Sequence, residues 1–265
     1  MKRDRWVDHL VLLFGVFVFL SPLVILFLAA FTPGGLRGSW VGAAQGLSEN
    51  LANLARVVRD GPGLIEMTLA STRLALGVAT LTTLVSFLAA YAMTHFARGA
   101  TRLSFALVLL TLYFPIEARM LPTFDVAATL GLIDSLAGAV LPILPLAVGT
   151  FYIRQHLLTL PHELAEAAQL DAAGPFRFLV DIVLPASLVP LATVFIVSFI
   201  LGWNQYLWPL MIFVDNAEIP LMRGFSLVGS GSGASMVIAV ASLGVPLVLM
   251  LLLVRLLARR QGPSG

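Results

Sequence analysis

Residues 10–31 read LVLLFGVFVFLSPLVILFLAAF, 22 residues without a charge, and they follow Lys2, Arg3 and Arg5. At 1.5 Å per helical residue, about 20 apolar residues cross the roughly 30 Å of a bilayer's hydrocarbon. Basic-then-apolar is also the order of a signal peptide. This run outlasts a usual signal core, and no small-x-small cleavage site closes it. It is read as a retained first membrane helix.

Working outward, the same balance holds along the chain. Of 265 residues, 59% are apolar and only 11% charged, against about 25% charged in soluble domains. Further apolar stretches lie at 74–93, 103–122, 135–153, 188–212 and 235–257, bracketed by charges such as Arg73, Arg98, Asp134, Arg154, Asp181, Arg223 and Arg255. The expected fold is an all-α membrane protein with six transmembrane helices, forming a single transmembrane domain over 1–265. Lys and Arg favour the inner side of a membrane. With both termini inside, ten of the 16 basic residues fall on inner segments, so N-in and C-in is the expected topology.

Composition excludes several functions. A net charge of +2 gives no basic field for nucleic acid. With no cysteine, thiolate metal sites and a cysteine nucleophile are ruled out. Lys2 is the only lysine and lies in the N-terminal tail, so a Walker A loop cannot form and any ATP-driven work falls to a partner. His9, His95, His156 and His162 have no ligand spacing, and residues 229–234 match GxGxxA without a preceding strand. No catalytic residue, metal site or cofactor is expected on this chain.

The inner segment 155–186 is different. It holds Glu163, Glu166, Asp171 and Asp181, four of the chain's 14 acids. Pro161 suits a helix start, Glu163 and Glu166 favour the positive end of the helix dipole, and the alanines around them favour helix with little bulk. Gly174-Pro175 supplies an expected break before a second short helix that ends near Pro185. Leu164, Leu170, Phe176 and Phe178 need covering, by the chain's own bundle or by another protein.

Two further sets stand out. Glu117 and Arg119 lie between Pro115 and Pro122 near the outer end of the third span, where ionisable groups mark either a functional path or an ion pair that fixes a kinked helix end. Trp203, Asn204, Gln205 and Tyr206 place polar groups within the fifth span. Polar side chains in lipid need partners, so these are expected at a subunit interface or pathway wall.

Glu166-Ala167-Ala168, Asp171, Ile182 and Leu184-Pro185 resemble the EAA loop of ABC importer membrane subunits, with matching spacing. Pro161, Glu163-Leu164, Phe178, Pro190 and Trp203-Asn204 resemble the carbohydrate-importer branch. The strings at 115–119, 132–135 and 202–210 are similar to its sn-glycerol-3-phosphate permeases. The resemblance implies an inner-membrane permease subunit paired with a homologous second permease, two copies of an ABC ATPase that binds ATP and Mg, and an extracytoplasmic substrate-binding protein. It assigns ATPase coupling to Glu163, Glu166, Ala167, Ala168, Asp171 and Gly174. One departure matters: the family's usual Gly after the Asp is Ala172 here, so Gly174-Pro175 is expected to take over the helix break.

Overall fold

The computed structural model describes residues 5–37, 43–57, 63–96, 99–144, 146–214, 219–229 and 231–260. Lys2, Arg3, Arg98 and Ser230 lie outside the described residues. Among the described residues the regular structure is all helical. In chain order the helices are α1 (Arg5–Phe31), α2 (Ala43–Val57), α3 (Leu64–His95), α4 (Thr101–Leu110), α5 (Ile116–Thr129), α6 (Leu136–Val140) and α7 (Leu146–Leu157). There follow α8 (His162–Leu170), α9 (Pro175–Phe178), a π turn (Leu179–Val183), α10 (Leu184–Ala186), α11 (Leu188–Trp203), α12 (Leu207–Ile212), α13 (Leu221–Val228) and α14 (Gly233–Arg260).

Among the described residues, three single helices are long and apolar enough to cross a membrane: His9–Phe31, Leu64–His95 and Gly233–Leu256. Three further candidates are bent pairs, broken at Phe114-Pro115, near Leu144 and at Ser187. The expected third stretch, 103–122, is thus two helices. Phe114 is extended ahead of Pro115, as the residue before a proline tends to be. α3 begins ten residues before the stretch predicted from Leu74, because a helix need not stop where its charges reach the interface. The Glu66 carboxylate accepts from the Gly63 N–H at 2.8 Å and so satisfies a donor at the helix start.

The chain divides into two compact units. The first comprises residues 1–68 and 221–245. Its α1–α2 hairpin is fixed by Asn50, fully buried, whose amide donates to the carbonyls of Ala30 at 2.9 Å and Thr32 at 2.8 Å. Ala30 lies in the last turn of α1, where helix geometry leaves carbonyls unpaired, and the Thr32 carbonyl just beyond it also accepts from the Gly35 N–H at 2.9 Å. Gly224 lets α13 close on Met67, whose sulfur lies 2.8 Å from where a Cβ would stand.

The second unit comprises residues 69–220 and 246–265. It holds two apolar clusters strung along α3. Leu74 and Val78 pack with Ala139, Val140, Trp208 and Ile212. Phe87, Ala90 and Tyr91 pack with Ile153, Leu179 and Val183. From Val78 to Tyr91 the helix rises about 20 Å, so the clusters mark two levels of the unit.

Candidate functional site

The segment after α7 does fold as short helices. Pro161, at φ −58° and ψ 136°, precedes the first residue of α8, and Glu163 lies in the first turn. Ala168 turns inward at 4% exposure, while Glu163, Glu166, Ala167 and Asp171 are exposed. The small residue faces the protein and the acids face away from it.

The break after α8 is not where Gly174-Pro175 was expected to put it. Ala172 takes φ +51°, the left-handed conformation, directly after Asp171. The Ala173 N–H reaches the Ala168 carbonyl at 2.9 Å and the Ala172 N–H reaches Gln169 at 3.1 Å, the paired bonds of a Schellman cap. Gly174 has φ −67°, available to any residue, and nothing lies within 4 Å of its missing Cβ. Its role is to precede Pro175, and its carbonyl accepts from Phe178 at 2.9 Å. The position that favours glycine on conformational grounds is the one that holds alanine.

α3 anchors this segment. The Tyr91 hydroxyl donates to the Pro175 carbonyl at 2.8 Å. The Tyr91 ring lies 4.5 Å from His95, and His95 meets Phe178 edge-on at 5.4 Å. His156 Nε2 donates to the Ala186 carbonyl at 3.2 Å, tying α7 to the segment's far end. Phe178 is therefore covered by the chain's own bundle. Leu170 and Phe176 are not, at 88% and 77% exposed beside the acids. The Arg177–Asp181 ion pair at 3.3 Å is also exposed and adds little stability. Tyr91 was absent from the sequence-based set. Its only signal was a tyrosine one turn from the end of an apolar helix, where aromatic residues concentrate at membrane interfaces.

The stretch 188–212, expected as one helix, is two. α11 ends at Trp203, Asn204 and Gln205 close its last turn, and α12 starts at Leu207. Pro209 supplies the reason, since in a continuous helix its ring would strike the carbonyl four residues back, at Gln205. Trp203 is buried within the chain at 1% exposure. Asn204 and Tyr206 are exposed and Gln205 is half-buried. Trp208, also 1% exposed, donates from Nε1 to the Gly138 carbonyl at 3.0 Å and so pins α12 to α6. Tryptophan spacing carried no hint of that bond.

Glu117 and Arg119 are exposed on α5, and no salt bridge joins them. Two residues on a helix differ by roughly 200° in direction, so they leave opposite sides of α5. The inward side of α5 is Met120, Phe124 and Ala127, packed into the cluster that holds Trp208 and Ile212. The structure therefore brings the elements carrying Glu117, Arg119 and 203–206 to the Leu74–Val78 level, and the 162–186 segment to the Tyr91 level. Among the described residues no group of three or more His, Asp or Glu is placed to hold a metal ion.

The chain is 38% identical over 266 residues to the sn-glycerol-3-phosphate transport system permease protein UgpE of Yersinia pestis bv. Antiqua (strain Antiqua), covering 95% of this chain and 93% of that one. It is 36% identical over 276 residues to the protein of the same name from Escherichia coli (strain K12), covering 95% and 94%. A chain from the crystal structure of a bacterial ABC transporter involved in the import of the acidic polysaccharide alginate superposes with a TM-score of 0.71 at 20% identity, covering 96% of this chain and 97% of that one. That likeness shows the fold. Residues 1–263 match the family described as binding-protein-dependent transport system inner membrane component. A charge-poor chain of apolar helices, with an acid-bearing helical segment held at one level of its second unit, is thus a member of that inner-membrane transport family.

Proposed function

We propose that this chain is one permease subunit of an ABC importer that carries sn-glycerol-3-phosphate or a glycerophosphodiester across the inner membrane. The observation that carries the substrate is the likeness, at 38% and 36% identity over nearly the full chain, to glycerol-3-phosphate permeases. In this reading α1, α3, α14, the pairs α4–α5 and α6–α7, and the stretch 188–212 that holds α11 and α12 make six spans with both termini inside, and residues 155–186 form the cytoplasmic coupling loop. A homologous permease completes the pathway, an external binding protein delivers substrate, and two ATPase subunits hold ATP and Mg and perform the hydrolysis.

The geometry supports coupling through α8 and α9. Glu163, Glu166 and Asp171 share the exposed segment with Leu170 and Phe176, which gives an apolar contact beside negative charge, suited to a basic-rimmed cleft on an ATPase. Ala167, exposed on the same helix, adds no bulk that would hold that surface off, while Ala168 packs inward. Asn204, Gln205, Tyr206, Glu117 and Arg119 stand on the elements proposed to line the path or the permease interface.

The test is ATP hydrolysis by the assembled complex in liposomes, with binding protein loaded with glycerol-3-phosphate or with a neutral sugar. Stimulation by the phosphorylated ligand alone is expected. Stimulation by the sugar alone would keep the importer and discard the substrate. A chain that purifies without any ATPase would overturn the coupling role.

A further inference from the structure

Between α7 and α11 the second unit carries a groove of about 320 Å³. Val148, Phe151 and Tyr152 form one wall, and Val197 and Leu201 lie on the other. These side chains are 42–48% exposed, so the groove opens outward. Phe151 also stacks on Phe105 of α4, with ring centroids 6.0 Å apart.

One turn beyond Phe151, on the same ridge as Val148 and Phe151, stands Arg154. Its guanidinium lies over the Phe105 ring, 4.3 Å from the centroid, and its Nε is buried with no hydrogen-bond partner. Phe105 is three residues from Arg102, so Arg102 leaves α4 on the face that Arg154 covers. Arg102 is exposed. Arg154 thus stands one turn along α7 from the groove wall at Phe151, and Arg102 lies on the Phe105 side of α4.

We propose that this groove and arginine pair hold an anionic phospholipid, one acyl chain along Val148, Phe151, Val197 and Leu201 and the phosphate on Arg154 and Arg102. Charge complementarity selects this occupant. Guanidinium suits phosphate oxygens, and Arg154 is already fixed by its stacking on Phe105, so little freedom is lost on binding. A neutral helix from another subunit would leave both cations unmatched. Basic pockets between helices recognise acidic headgroups in the same way. Placement in the cytoplasmic leaflet rests on the proposed topology; the lipid site itself rests on membership of an inner-membrane family.

The test is native mass spectrometry of the complete assembly released from nanodiscs containing equal phosphatidylglycerol and phosphatidylcholine. Wild type is expected to retain phosphatidylglycerol at least fivefold over phosphatidylcholine. Arg102→Gln with Arg154→Gln should abolish that preference, and Val197→Trp, which fills the slot and leaves the arginines in place, should lower total retained lipid. Equal retention of both lipids by wild type, or an unchanged preference in the arginine variant, would overturn the site. So would displacement of phosphatidylglycerol by soluble glycerol-3-phosphate, which would make the pair a site for a free phosphate ester. A photocrosslinker at position 197 that captures a protein subunit and no lipid would assign the groove to that subunit. Outside the displacement arm, retained lipid is read without substrate or ATP, so its loss is separate from failure of the transport reading.

Discussion

Ala172 costs the chain stability because its residue type and its left-handed backbone disagree. A left-handed alanine is disfavoured by about 1–2 kcal/mol because its Cβ crowds the carbonyl. Glycine removes that term and loses part of the gain to the greater freedom of its unfolded chain. Ala172→Gly should therefore stabilise the protein by about 0.5–1 kcal/mol, seen as a higher apparent melting temperature of the detergent-purified complex. A lower melting temperature would mean that the methyl group packs usefully. Trp208 gives the opposite case. Trp208→Phe keeps most of the buried ring but leaves the Gly138 carbonyl without its donor, and should cost about 1–3 kcal/mol by the same measurement. No change would show that another donor reaches Gly138.

Among the elements, α3 has most to do. It carries both apolar clusters of the second unit and holds the 162–186 segment through Tyr91. Tyr91→Phe removes only the hydroxyl that bonds the Pro175 carbonyl and keeps the ring against His95 and Phe178. The segment should stay folded but follow α3 less tightly, so substrate carried per ATP hydrolysed is expected to fall severalfold with the ATPase rate preserved. Parallel loss of both rates would place Tyr91 in folding instead. The bends at Pro115 and ahead of Pro209 follow from chemistry that is visible in the sequence. Proline restricts the residue before it and, inside a helix, blocks the carbonyl four residues back. What was not visible is how the chain answers each proline. At Pro22 and Pro246 the helix continues, and at Pro209 it breaks.

For the whole molecule, the coupling reading makes a charge-specific demand. Glu166→Lys should insert and assemble its helices as before, since Glu166 is exposed and makes no side-chain bond among the described residues, yet abolish transport by repelling a basic partner surface. Normal uptake would remove Glu166 from the coupling role, and restoration by a charge-reversed ATPase would locate the partner residue.

The amino-acid sequence by itself determined that the chain lives in a membrane and is helical, because apolar content and charge spacing act locally and additively along the chain. It also determined the short helices around Glu163–Gln169, through proline, alanine and acidic residues whose preferences are settled within one turn. Only tertiary structure decided where those helices attach and that Trp203 is core while Asn204 and Tyr206 face outward. Those outcomes depend on contacts between residues far apart in the chain, such as Tyr91 with Pro175 and Trp208 with Gly138, and no local preference encodes them.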